Sequence, residues 1–73
     1  MIKDHEPYID LRKTDFLIAE CAHQLECQYR RIAVLRLQGS RALGEKLRAR
    51  EMEKQLAALR ARRAALIRTA AKV

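Results

Sequence analysis

A Gly-Ser pair at residues 39–40 interrupts a 73-residue chain that is otherwise built for helix. The only proline is Pro7 and the only other glycine is Gly44. On each side of the pair the apolar residues recur at seven-residue intervals. Leu11, Ile18, Leu25 and Ile32 form the series before it, flanked three or four residues on by Cys21, Ala22, Tyr29 and Leu35. Met52, Leu59 and Leu66 form the series after it, with Ala49, Leu56 and Ala70 at the alternate positions. Alternating steps of three and four residues put one apolar stripe on each helix, the pattern of helices that pack lengthwise.

Glycine takes the left-handed conformation that ends helices, and serine caps the start of the next one. A single helix through Gly39 is the competing reading, since a helical glycine costs only about 1 kcal/mol relative to alanine. Such a rod would leave both stripes in water. The expectation is therefore an all-α antiparallel hairpin over 1–73, coiled-coil-like, with helix 1 at about 10–37, a turn at 38–40 and helix 2 at about 41–70. Pro7, Asp10 or Thr14 can start the first helix. Leu43 and Leu47 fall out of phase with the second repeat, which reads as a stutter near the turn. Gly44 between them would permit close approach. Arg63 falls on the second seam, where a cation weakens packing but can fix register.

A chain of this length buries only about 60% of its unfolded surface, so a lone core is marginal. Leu17, Val34, Leu37, Leu47 and Ile67 lie off the seams. A second hairpin, giving a four-helix bundle, or another helical protein would cover them. The expected partner-binding face comprises Ile18, Leu25, Tyr29, Ile32, Leu35, Met52, Leu56, Leu59 and Leu66.

The charge is lopsided. Residues 1–37 carry six basic and six acidic groups, whereas residues 38–73 carry ten basic groups against Glu45, Glu51 and Glu53. Lys46, Arg50 and Lys54 recur every four residues, hence in a row on one face. Arg60, Arg62, Arg63 and Arg68 carry the charge onward. These seven residues are the candidate polyanion contacts, and phosphate is the ligand such groups suit. The basic half has no stacking aromatic and no helix-turn-helix or zinc-finger signature, so nucleic acid is the alternative partner rather than the first. A solvated cationic arm is the ordinary reading of the same charges.

Other classes find little support. Cys21 and Cys27 would lie about 9 Å apart along one helix, too far for a bridge, and reduced thiols suit a cytoplasmic chain. No basic leader with an apolar run and no 18-residue apolar stretch is present, so neither a signal peptide nor a membrane span is expected. The basic arm lacks the aromatic anchors of a membrane-surface helix. Glu20, His23 and Cys27 share a helix face but make no complete zinc or di-iron ligand set, and no metal or other cofactor is expected. Phosphate loops, nucleophile elbows and carboxylate pairs are missing, so no enzyme activity is expected.

The runs "LRKTDF" at 11–16 and "LRARRAAL" at 59–66 resemble the two ends of the YdcH-like family of small bacterial helical hairpins. Leu11, Arg12 and Asp15 match its early Leu-Lys-x-x-Asp pattern. Leu59, Arg60, Arg63 and Leu66 match its late Leu-Lys-x-x-Arg-x-x-Leu pattern. Arg68 stands where the family has an acidic residue, and the family's aromatic after the early Asp is displaced to Phe16. The resemblance implies a hairpin and no particular activity. The plan is also similar to the hairpin co-chaperones of type III secretion, which shield apolar partner helices. The functional expectation is a small non-enzymatic interaction module, an adaptor or co-chaperone, that associates with itself or with a helical partner.

Overall fold

The computed structural model describes residues 6–71. It consists of helix α1, Glu6–Leu37, and helix α2, Leu43–Ala71, folded back on each other. There is no strand among the described residues. The Cα trace spans 57 × 14 × 14 Å, a two-helix rod rather than a globule.

α1 begins at Glu6, about four residues before the expected start. Pro7 explains the difference. In the first turn its missing N–H has no intrahelical acceptor to lose, and its fixed φ suits a helix.

The turn is longer than the expected 38–40. At its start the N–H of Gly39 donates to the Arg36 carbonyl (3.0 Å) and that of Ser40 to the Leu35 carbonyl (2.9 Å). This is a Schellman closure, and it requires a left-handed residue at Gly39, whose φ is 89°. Ser40 does not cap α2. Its hydroxyl accepts from the N–H of Ala42 (3.0 Å), a local turn bond. Ala42 is itself left-handed, with φ 52°, and its side chain is buried. Its carbonyl accepts from Lys46 (2.9 Å), the first helical bond of α2, so that helix starts two residues later than expected.

The seams are regular from end to end. On α1 the seam runs Leu11, Thr14, Ile18, Cys21, Leu25, Gln28, Ile32 and Leu35, all buried or half-buried, with the half-buried Asp10 and Ala22 beside it. On α2 they run Ala42, Glu45, Ala49, Met52, Leu56, Leu59, Leu66 and Ala70, with the exposed Arg63 at the skipped place. Ala42 and Glu45 extend the second series to the turn without a stutter. Leu43 and Leu47 are simply off it, both exposed. Gly44 makes no close approach, because a Cβ there would meet nothing within 4 Å.

The core is small. Leu25, Ala49 and Leu56 form its buried centre, with Ile18, Cys21, Ala22, Ile32 and Met52 packed around them. Two of the most enclosed seam residues are polar, Thr14 at 2% exposure and Gln28 at 7%. Gln28 is satisfied across the seam, its amide donating to the Glu45 carboxylate (2.7 Å) and carbonyl (3.0 Å).

The two glycines should respond differently to alanine. At Gly39 the added Cβ meets no atom, so only the left-handed backbone resists it; the substitution should cost about 1 kcal/mol. Gly44→Ala lies in ordinary helix and should leave stability equal or higher. Urea unfolding followed by circular dichroism separates the two. Equal effects would show that the turn does not depend on the left-handed residue.

Candidate interaction surfaces

The expected apolar face divides in two once the hairpin closes. Leu25 and Leu56 are buried inside it and cannot meet a partner. Ile18, Ile32, Leu35, Met52, Leu59 and Leu66 are half-buried at the seam edges. Tyr29 does not lie on the seam at all. Gln28 occupies that place, and Tyr29 is 45% exposed beside it. Its hydroxyl donates to the Glu53 carboxylate of α2. That bond, with partial burial and the Glu53 charge adding to it, raises the phenol above its ordinary 10.0.

Among the described residues, more large apolar side chains face outward than lie in the buried core. Phe16 (67% exposed), Leu37 (88%) and Leu47 (63%) stand furthest into solvent, and Leu17, Val34, Leu43 and Ile67 are also exposed. Leu17 joins the two helices' surfaces. It lines a shallow groove with Gln55, Ala58, Leu59 and Arg62 of α2, and a neighbouring one with Glu20, Cys21 and Gln24. Neither is an enclosed cavity.

The seven candidate cations are all exposed, but they do not make one surface. Lys46, Arg50 and Lys54 follow one another on one side of α2, and Arg60 returns to it two heptads after Lys46. Lys46 and Arg50 flank Leu43 and Leu47 in a shallow depression with no carboxylate. Lys54 pairs with Glu51 (3.7 Å). Arg62 turns to the Leu17 groove. Arg63 leaves the seam to bind the Asp15 carboxylate of α1. Both partners of that bridge are almost half exposed, so it contributes at most about 1 kcal/mol. Its value is as a register mark between the helices.

Cys21 and Cys27 are both free. Cys21 packs against the core and donates weakly to the Met52 carbonyl (3.7 Å). Cys27 is exposed, with its Sγ 3.8 Å from His23 Nε2. Among the described residues no three His, Cys, Asp or Glu side chains converge as a metal site would need. No helix among them is long and apolar enough to cross a membrane. Sequence reasoning missed Thr14, Gln28 and Glu45 because polar residues do not register in an apolar stripe. It missed the Asp15–Arg63 and Tyr29–Glu53 ties because each joins residues far apart in the chain.

Comparison with known proteins finds no matching protein family, no matching curated protein and no matching solved structure.

The Tyr29–Glu53 contact can be tested by titration. In a Tyr8→Phe background, the remaining phenol should ionise above pH 10, and Glu53→Gln should lower its midpoint. A raised folded-state pKa means that the bond's stability is complete below the unfolded value and is lost as pH climbs through the folded one. The stability advantage of the wild type over Glu53→Gln should therefore be full below pH 10 and close as pH climbs through the folded midpoint. An ultraviolet titration with the same midpoint in both proteins would exclude the contact.

Proposed function

We propose that this chain is a small non-enzymatic interaction module that works by associating through apolar helix surface, first of all with a second copy of itself. One observation carries the reading. Among the described residues the hairpin buries only Leu25, Ala42, Ala49 and Leu56 of its apolar side chains, while nine large ones stay at least 41% exposed. A rod whose backbone spans 14 Å across is two helices wide and has no further layer to hold more. A second chain would add that burial, and packing two hairpins is the simplest way to supply it. The half-buried Ile18, Leu59 and Leu66 at the seam edges and the exposed Leu17 are the side chains such packing would cover. Another helical protein offering a matching stripe would satisfy the same surface.

Sedimentation equilibrium should give a mass at least twice the 8.5 kDa of one chain at micromolar concentration. Leu17→Asp places a charge on exposed surface and should shift the equilibrium toward monomer, with helicity retained. A wild-type chain that stays monomeric at every concentration would reject self-association.

Nucleic acid is the second reading, favoured by Lys46 and Arg50, whose depression contains no carboxylate. Binding of a short duplex would depend on neutralised phosphates. A protein that contacts Z phosphates loses affinity with a log–log salt slope of about −0.9Z. Lys46→Glu with Arg50→Glu should abolish such binding and leave the mass unchanged. A salt-independent interaction, or one indifferent to these substitutions, would remove this reading.

A further inference from the structure

Cys27 does not stand alone. It opens on a shallow groove that runs across both helices, lined by His23, Gln24, Gln28 and Arg31 of α1 and by Arg48 and Met52 of α2. Both fully charged groups of the lining are arginines, and no carboxylate takes part in it. Three acids close to it in sequence or space have partners of their own. Glu26 pairs with Arg30 (3.1 Å), Glu45 accepts from Gln28 (2.7 Å) and Glu51 pairs with Lys54 (3.7 Å). The groove thus combines an accessible nucleophile, an imidazole 3.8 Å from it and two guanidinium groups. Guanidinium groups bind carboxylates through paired hydrogen bonds, and a single-sign lining raises the local concentration of oppositely charged reagents.

We propose that Cys27 is a modification site for small anionic disulfides, with Arg31 and Arg48 holding the reagent's carboxylates and His23 taking the thiol proton. The Cys27 proton passes to His23 Nε2. Cys27 Sγ attacks one sulfur of the reagent, forming the mixed disulfide as the reagent's own S–S bond breaks. The other half leaves as a thiolate and recovers the proton from the imidazolium. The incoming disulfide is the only oxidant, so the exchange balances. Cys21, six residues away on the same helix, is a built-in contrast. It is packed into the seam with its Sγ against the Met52 carbonyl, and has no cationic neighbour in the two grooves beside it other than Arg62.

The probes are oxidised glutathione, which is anionic, and cystamine, which is cationic. Initial rates of mixed-disulfide formation are read by mass spectrometry of the intact protein. The same chain unfolded in urea supplies the intrinsic ratio of the two reagents. In a Cys21→Ser background, the folded protein should favour oxidised glutathione over that ratio by about 10-fold. Added salt should erode the preference. Arg31→Gln with Arg48→Gln should return it to the unfolded value, while His23→Ala should slow both reagents alike. These are exposed helix positions, and circular dichroism checks that the variants keep their fold. A Cys27→Ser protein that reacts as fast through Cys21, or a preference identical in folded and unfolded chains, would overturn the proposal.

Discussion

The left-handed closure at Gly39 sets the register on which every other contact depends. With the Leu35 carbonyl bonded to Ser40 and the Ala42 carbonyl opening α2, the two seams start level with each other at the turn. Both then step outward by alternating threes and fours, so their positions stay level along the rod. The contacts across the seam keep that step: Gln28 meets Glu45, and one heptad further out Cys21 meets Met52. A slip of one residue in the turn would rotate one stripe away from the other. Ala42 shows how firmly the register is held. An alanine in the left-handed region costs roughly 1–2 kcal/mol, and its buried side chain and the Ser40 bond keep it there.

Because the register is fixed, polar residues can occupy the seam. Gln28 is tolerated at 7% exposure because Glu45 gives it both a carboxylate and a carbonyl to bind. An amide buried without those partners would cost about 1–3 kcal/mol. At the far end Arg63 escapes the seam toward Asp15 instead of being buried. With Tyr29–Glu53, these ties lie at different levels of the hairpin. They add little stability in water-exposed positions, but each is satisfied only when the helices are antiparallel and in step. The apolar core alone, mostly leucine, isoleucine and alanine, discriminates poorly against a shift of a whole heptad, which keeps the stripes facing each other. The polar ties supply the specificity that a small core lacks.

The break at Gly39 was legible because glycine and serine change the backbone options locally, and a local signal needs no tertiary knowledge. The second seam from Ala49 to Ala70 was legible for the same kind of reason, since its apolar residues are spaced by the helix itself. Hydrophobicity ranks Tyr29 above Gln28 as a first-seam residue. The structure reverses them because strict three-four alternation passes through 28, and a glutamine with partners can be buried whereas a phenol beside Glu53 need not be. The apparent stutter at Leu43 and Leu47 came from taking leucine as the seam marker. The actual markers were Ala42 and Glu45, one small and one charged, where helices close to a tight turn leave room for little else. The groove at Cys27 was half legible. His23 and Cys27 share a helix face in any reading, but Arg48 joins them only through the fold.

Charge limits which faces can meet if two copies associate. The side of α2 bearing Lys46, Arg50, Lys54 and Arg60 would bring like charges together in a symmetric pairing, since a two-fold axis sets a patch against itself. Juxtaposed like charges oppose assembly. The Leu17 groove has a different composition. Leu17, Ala58 and Leu59 are apolar, Gln24 and Gln55 can bond to their symmetry mates, and Arg62 lies on the same surface as Glu20. A symmetric contact there could pair arginine with glutamate rather than arginine with arginine. Association through that side would leave the cationic side of α2 open, so self-assembly and polyanion binding need not compete for the same residues. The lopsided charge of the sequence then has a geometric consequence: it makes one side of the rod a poor surface for its own copy.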